Sequence, residues 1–96
     1  MLLFISMRLD MFLKTSRLAR SRSEANRLCS EGRVSVDGLV AKASRNVSPG
    51  ELIEISTGDE SRSFEIVRIP QRKQVTKDEA RELVKPQRDE GQLSPS

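Results

Sequence analysis

Apolar positions in the first part of the chain recur with the period of a helix. Between Arg8 and Thr15, Leu9, Phe12 and Leu13 fall at i, i+3 and i+4, which gathers them on one face and sends Asp10 and Lys14 toward solvent. A first helix is predicted there. Ser21-Arg22-Ser23-Glu24 then has the spacing of a capping box, in which a hydroxyl and a carboxylate each accept from an otherwise unpaired backbone N–H. Ala25, Leu28 and Cys29 repeat the apolar spacing, and Gly32 stands where a left-handed residue closes a helix. A second helix is therefore expected to end near Glu31.

The period then falls to two. Val34-Ser35-Val36 alternates, and Asp37-Gly38 is a hairpin signal because both central positions of a type I′ turn need positive φ. The return strand runs from Leu39 to Ala43. Ser48-Pro49-Gly50 marks another turn, after which Leu52 to Ser56 and Ser63 to Ile69 read as strands joined through Gly58-Asp59-Glu60. Phe64 and Ile66 face one way, Val67 and Ile69 the other. A bulge, or a strand covered on both faces, would each produce that change of phase.

Beyond Pro70 the composition turns polar, yet Thr76-Lys77-Asp78-Glu79 repeats the capping-box spacing ahead of Ala80, Leu83 and Val84. This predicts a short helix over 76–85, stopped by Pro86. Gln87 to Ser96 has too little apolar content to offset its ordering entropy and is expected to be a disordered tail. The elements make an α+β domain at residues 7–70, a C-terminal helix within 71–86 and a tail at 87–96. Met1 to Ser6 is apolar but far too short to span a bilayer and has no basic segment before it, so neither a signal nor an anchor is expected. Translation starting at Met7 is the expectation, with residues 1–6 a non-native or disordered extension; an added edge strand is the competing reading.

With 96 residues there is room for one domain. Cys29 is the only cysteine and histidine is absent, which excludes an internal disulfide, a zinc site of the usual type and histidine-based catalysis. A reducing, cytoplasmic setting fits. No Gly-rich loop follows a strand to cradle a nucleotide, so no cofactor, no metal and no enzymatic activity are expected. Cys29, beside Leu28 on the apolar side of its helix, reads as a small core residue rather than a reactive thiol.

Charge changes the picture most. Up to Arg45 there are nine Lys and Arg against four Asp and Glu, and after it eight against ten, so a net +5 is followed by −2. The positive charge is densest from Lys14 to Arg22, where Lys14, Arg17, Arg20 and Arg22 occur with no acid between them. That strip lies at a helix-to-helix junction, where the unpaired N–H groups of the second helix also favour anions. Arginine forks suit phosphate oxygens. A stacking platform for single strands is excluded by the absence of Trp and Tyr, since Phe12 and Phe64 belong to the core pattern and only Phe4 remains. Recognition of a folded or duplex RNA through phosphates and 2′-hydroxyls is left. Insertion of the second helix into a DNA major groove would rest on Arg22, Asn26 and Arg27 alone, from a short helix followed at once by a hairpin.

The segments Met7-Arg8-Leu9-Asp10-Met11-Phe12-Leu13-Lys14-Thr15-Ser16-Arg17-Leu18, Ser21-Arg22-Ser23-Glu24-Ala25, Gly32-Arg33-Val34-Ser35-Val36-Asp37-Gly38, Lys42-Ala43-Ser44 and Val47-Ser48-Pro49-Gly50 closely resemble the S4 RNA-binding domain. The resemblance runs from about Met7 to Ser56 and is weaker over 57–96. It implies an alpha-L fold: two roughly orthogonal helices on a small, curved, mostly antiparallel sheet, with RNA gripped along the helix pair and the hairpin edge. Carried over by motif position, it implies that Arg8, Lys14, Ser16, Arg17, Arg20, Ser21, Arg22 and Arg27 contact RNA backbone and that Lys42 reaches in from the hairpin. Asp10 would order neighbouring arginines. Ser21 as a plain helix cap, and Arg27 as a cover for apolar surface, stay open as alternatives. Met11 departs from the family, which often has a basic residue there.

As a free-standing chain of this length, the protein is most similar to the ribosome-associated quality-control members of the family, with ribosome-associated heat-shock members the near alternative. The resemblance implies a monomer that binds large-subunit rRNA and peptidyl-tRNA on stalled, split ribosomes, away from membranes, and helps a tailing factor extend the nascent chain. Two other readings compete: a detached module of an RNA-modifying enzyme, and a protein-interaction module using the acidic second part.

Overall fold

The apolar residues that recur at two different periods meet in one buried cluster. Leu9, Phe12 and Leu13 from the first helix, Ala25, Leu28 and Cys29 from the second, and Val34, Val36, Ile53, Phe64 and Ile66 from strands all belong to it. The computed structural model describes residues 6–71 and 74–87. The expected extension, apart from Ser6, and the expected tail beyond Gln87 lie outside them.

In chain order the elements are β1 (Met7–Arg8), α1 (Leu9–Thr15), α2 (Arg22–Ser30), β2 (Val34–Val36), β3 (Leu39–Val40), β4 (Asn46–Val47), β5 (Leu52–Thr57), β6 (Glu60–Ile66), α3 (Lys77–Arg81) and β7 (Val84–Gln87). Five strands form an antiparallel sheet in the order β3-β2-β5-β6-β7, and β1 pairs with β4 as a separate antiparallel ribbon. The α+β class stands. Val36 faces Ile53 across one ladder and Ile53 faces Phe64 across the next, so the buried residues of three strands line up. The β2–β3 turn is the expected one, with φ of 52° at Asp37 and 88° at Gly38.

Several expectations are corrected. Asp10 is wholly buried rather than turned to solvent. The hairpin's return strand is only Leu39–Val40, although Ala41 still donates its N–H to the Val34 carbonyl at 3.0 Å. The strand predicted over 63–69 begins at Glu60 and stops at Ile66, which removes the puzzle of its phase. Neither a bulge nor a two-faced strand is needed: the chain leaves the ladder, Val67 is exposed, and Ile69 turns back into the same core as Ile66.

The largest correction concerns the C-terminal part. The Thr76/Glu79 capping box forms in full, with Glu79 N–H on the Thr76 hydroxyl at 3.0 Å and Thr76 N–H on the Glu79 carboxylate at 3.4 Å. The helix it starts, however, ends at Arg81, and Val84–Gln87 becomes a strand on β6. Pro86 does not stop a helix here. It lies in the sheet's edge strand opposite Phe64, where a missing N–H is tolerated. Leu83 locks this segment in place, fully buried and accepting at its carbonyl from Val67 N–H at 2.7 Å.

Leu83→Ala is expected to cost about 2–5 kcal/mol, the range for emptying a fully buried leucine site. Urea unfolding followed by far-UV circular dichroism should show one transition moved to lower denaturant; an unchanged midpoint would mean that α3 and β7 are an appendage to the core.

Candidate nucleic-acid interface

The first turn of α1 is built around a carboxylate. Arg8, in the N-cap position, offers no side-chain cap, and the first helical N–H groups are instead taken by the loop before β4: Leu9 donates to the Arg45 carbonyl at 2.7 Å and Asp10 to that of Ala43 at 3.1 Å. This seats the Lys42 loop against the helix start. The Asp10 side chain then accepts from Arg8 Nε and Nη2 at 3.3 and 3.2 Å, from Arg22 Nε at 3.2 Å and from Asn26 Nδ2 at 2.9 Å. Residues from two helices and the residue before them thus converge on one buried group.

Burial by itself would raise the Asp10 carboxyl, but hydrogen bonds from Arg8, Asn26 and Arg22, with the Arg22 charge, outweigh it and hold the group below its ordinary 3.8. The carboxylate is ionised, and two cations surround it. Their side chains remain 48% and 46% exposed, so each has N–H groups left for another anion. Arg22 uses only Nε on Asp10; among the described residues its two terminal nitrogens have no partner. The arrangement presents two oriented guanidiniums with a net positive charge.

Five residues before the start of α2, the chain makes an uncommon choice. Arg17 follows the α1 C-cap with φ of 66°, in the left-handed position that glycine usually fills. A side chain there costs roughly 1–2 kcal/mol. Lys14, Arg17 and Arg20 line one open groove of about 460 Å³ together with Gln74 and Val75, so the strained residue stands in a cationic surface. Lys14 is one turn beyond Asp10 on α1, which puts this groove beside the Asp10 cluster.

The nine residues carried over from the motif therefore separate. Arg8 and Arg22 gather at Asp10; Lys14, Arg17 and Arg20 line the groove; Lys42 is exposed on the loop that caps α1. Ser16 is not with them: it is 5% exposed and its hydroxyl donates to the Leu13 carbonyl at 3.4 Å. Ser21 caps α2, accepting from Glu24 N–H at 3.1 Å, but the box is not closed, because the Glu24 carboxylate takes Arg20 N–H at 2.7 Å instead. Arg27 lies about 140° around α2 from Arg22. There it pairs with Glu31 at 3.5 Å and Glu24 at 4.0 Å, so its charge is offset. Sequence reasoning gave Asn26 only to a DNA-reading helix; in the structure it is the group that braces Asp10, and its i+4 spacing from Arg22 is the signal that could have found it.

Cys29 is a core residue. Burial first, then the Asp10 charge, pushes its thiol up to about 11, so it stays protonated at neutral pH and is no nucleophile. Among the described residues no helix is long and apolar enough to cross a membrane.

Comparison with known proteins finds a matching family and several relatives. The family profile of the S4 domain matches residues 7–53. A Halalkalibacterium halodurans protein named RQC P-site tRNA stabilizing factor is 39% identical over 84 residues, covering 88% of this chain and 93% of that one. The protein of the same name from Bacillus subtilis is 40% identical over 73 residues, covering 76% and 81%. Among solved structures, trimeric Heat Shock Protein 15 of Vibrio cholerae superposes with a TM-score of 0.77 at 28% identity, over 85% of this chain and 82% of that one.

Asp10→Ala should cost about 1.5–3 kcal/mol at neutral pH, as expected for losing charge-assisted hydrogen bonds to a buried group. Because the folded carboxyl lies below its ordinary 3.8, its contribution is present above that pH and disappears as pH falls through the lowered value. Urea titrations should therefore show the gap between wild type and variant closing in acid; a gap that does not change with pH would deny the carboxylate's charge any role.

Proposed function

The chain belongs to the S4-domain family that includes the RQC P-site tRNA stabilizing factors, and on that premise we propose that it is a non-enzymatic, cytoplasmic RNA-binding factor of ribosome-associated quality control. It grips tRNA and large-subunit rRNA by their phosphates. Its bound state is a stalled, split ribosome carrying peptidyl-tRNA, and it acts by holding tRNA and subunit in register while a tailing factor extends the nascent chain. The observation that carries this reading is the pair Arg8 and Arg22, half exposed and fixed in orientation by one buried carboxylate. Guanidiniums that are already ordered lose less entropy when they meet phosphate.

The groove of Lys14, Arg17 and Arg20 continues the same surface, and Lys42 stands on the loop held to α1. Binding through these groups reads backbone shape rather than sequence. The quality-control reading is supported by the relatives named stabilizing factors, 31–40% identical to this chain.

About four to six neutralised phosphates would give a log–log dependence of affinity on salt with a slope of roughly −3 to −5. Filter binding of tRNA across a salt series measures it, and a slope near zero would remove the phosphate grip. In the same assay Arg22→Ala should weaken every folded RNA about tenfold or more, without loss of fold. Loss confined to one RNA sequence would point to base reading instead.

Arg17→Gly separates stability from binding. Glycine relieves the left-handed strain, so the unfolding free energy should rise by about 1 kcal/mol while RNA affinity falls. A variant with unchanged affinity would show that Arg17 is kept for some other reason.

A further inference from the structure

Arg17 borders a second groove on its other side. Leu18, Ala80, Val84 and Pro86 contribute most of the lining, which is chiefly apolar, over a volume of about 460 Å³. Lys77 and Arg81, at i and i+4 on α3, join Arg17 around it. Among the described residues none of these three cations is held in an ion pair, whereas Glu79 is taken up by the Thr76 cap and Glu82 by Arg68 at 2.9 Å. An apolar hollow with uncompensated cations suits a flat apolar body that has a negative charge attached.

We propose that this second groove holds one unpaired nucleotide, its base against Leu18, Val84 and Pro86 and its phosphate among Arg17, Lys77 and Arg81, next to a duplex whose backbone lies along Lys14, Arg17 and Arg20. The proposal rests on the RNA-binding function above and deepens it. Arg17 is the reason to choose RNA over an acidic peptide: it is shared by both grooves, so a chain of phosphates following the first runs directly into the second. The volume lies within the roughly 300–1,000 Å³ of small-ligand sites. Without an aromatic ring, the base is held by aliphatic contact with Leu18, Val84 and Pro86 alone.

The test compares a short blunt RNA duplex with the same duplex carrying a single unpaired 2-aminopurine nucleotide at one end. Wild-type protein should bind the second about five- to tenfold more tightly, toward the lower end of what one held base contributes, and should change the 2-aminopurine fluorescence. Lys77 and Arg81 are exposed, so the double variant Lys77→Gln/Arg81→Gln keeps its fold, and its preference should fall toward one. Arg22→Ala should weaken both duplexes alike and preserve the preference. A preference near one in the wild type, leaving the groove to an acidic peptide, overturns the proposal, as does a preference that survives the double substitution. Wild-type protein that binds neither duplex at low salt overturns the RNA-binding function as well.

Discussion

The joint between the two helices, and with it the orientation of Arg8 and Arg22, depends on one buried negative charge. Asp10 is the only acid in the first turn of α1, and it is wholly enclosed by Arg8, Arg22 and Asn26. Ionised, it does two jobs by the same bonds: it joins α1 to α2 across their polar side, where no apolar contact could, and it fixes the orientation of two arginines. Enclosing a carboxylate is expensive unless each oxygen is bonded, and here both are. The surface charge and the helix pair are therefore one construction, and a change to either is felt by the other.

Local chemistry was the most legible part of the sequence. The period switch after Gly32, the Asp37-Gly38 turn and the Thr76/Glu79 cap each act through nearest neighbours, and each forms as read. What escaped depends on distant partners. A carboxylate four residues before a lysine looks like a solvent-facing residue until two arginines and an asparagine from elsewhere cover it. The ribbon of β1 with β4 is two residues long on each side, too short to leave a pattern. Ala80, Leu83 and Val84 have helical spacing, but Val84 gains a ladder on β6, and that pairing outweighs the local preference.

The candidate site was legible in its charges and blurred in its grouping. The strip from Lys14 to Arg22 is real as composition, yet it divides between a groove and an ion-paired cluster, and Ser16, within the strip, is nearly fully buried and bonded to its own helix. Arg27 is close in sequence and on another side of the helix. Counting charges along a chain cannot distinguish these cases, because a helix places residues five apart on different sides. Arg17 is the exception that a rule-based reading could have noticed: an arginine where a helix end calls for glycine.

The place of β7 at the far end of the chain has a consequence for synthesis. The outer edge of β6 has one partner, Val84–Gln87, and the ladder pairs Ile66 with Val84 and Ser63 with Gln87. A ribosome adding about 5–20 residues per second needs roughly 1–4 seconds to go from Ile66 to Gln87. The β2–β3 hairpin closes in microseconds. The β6 edge therefore has no partner until the last strand has been added, and an unpaired strand edge is a template for pairing with another chain.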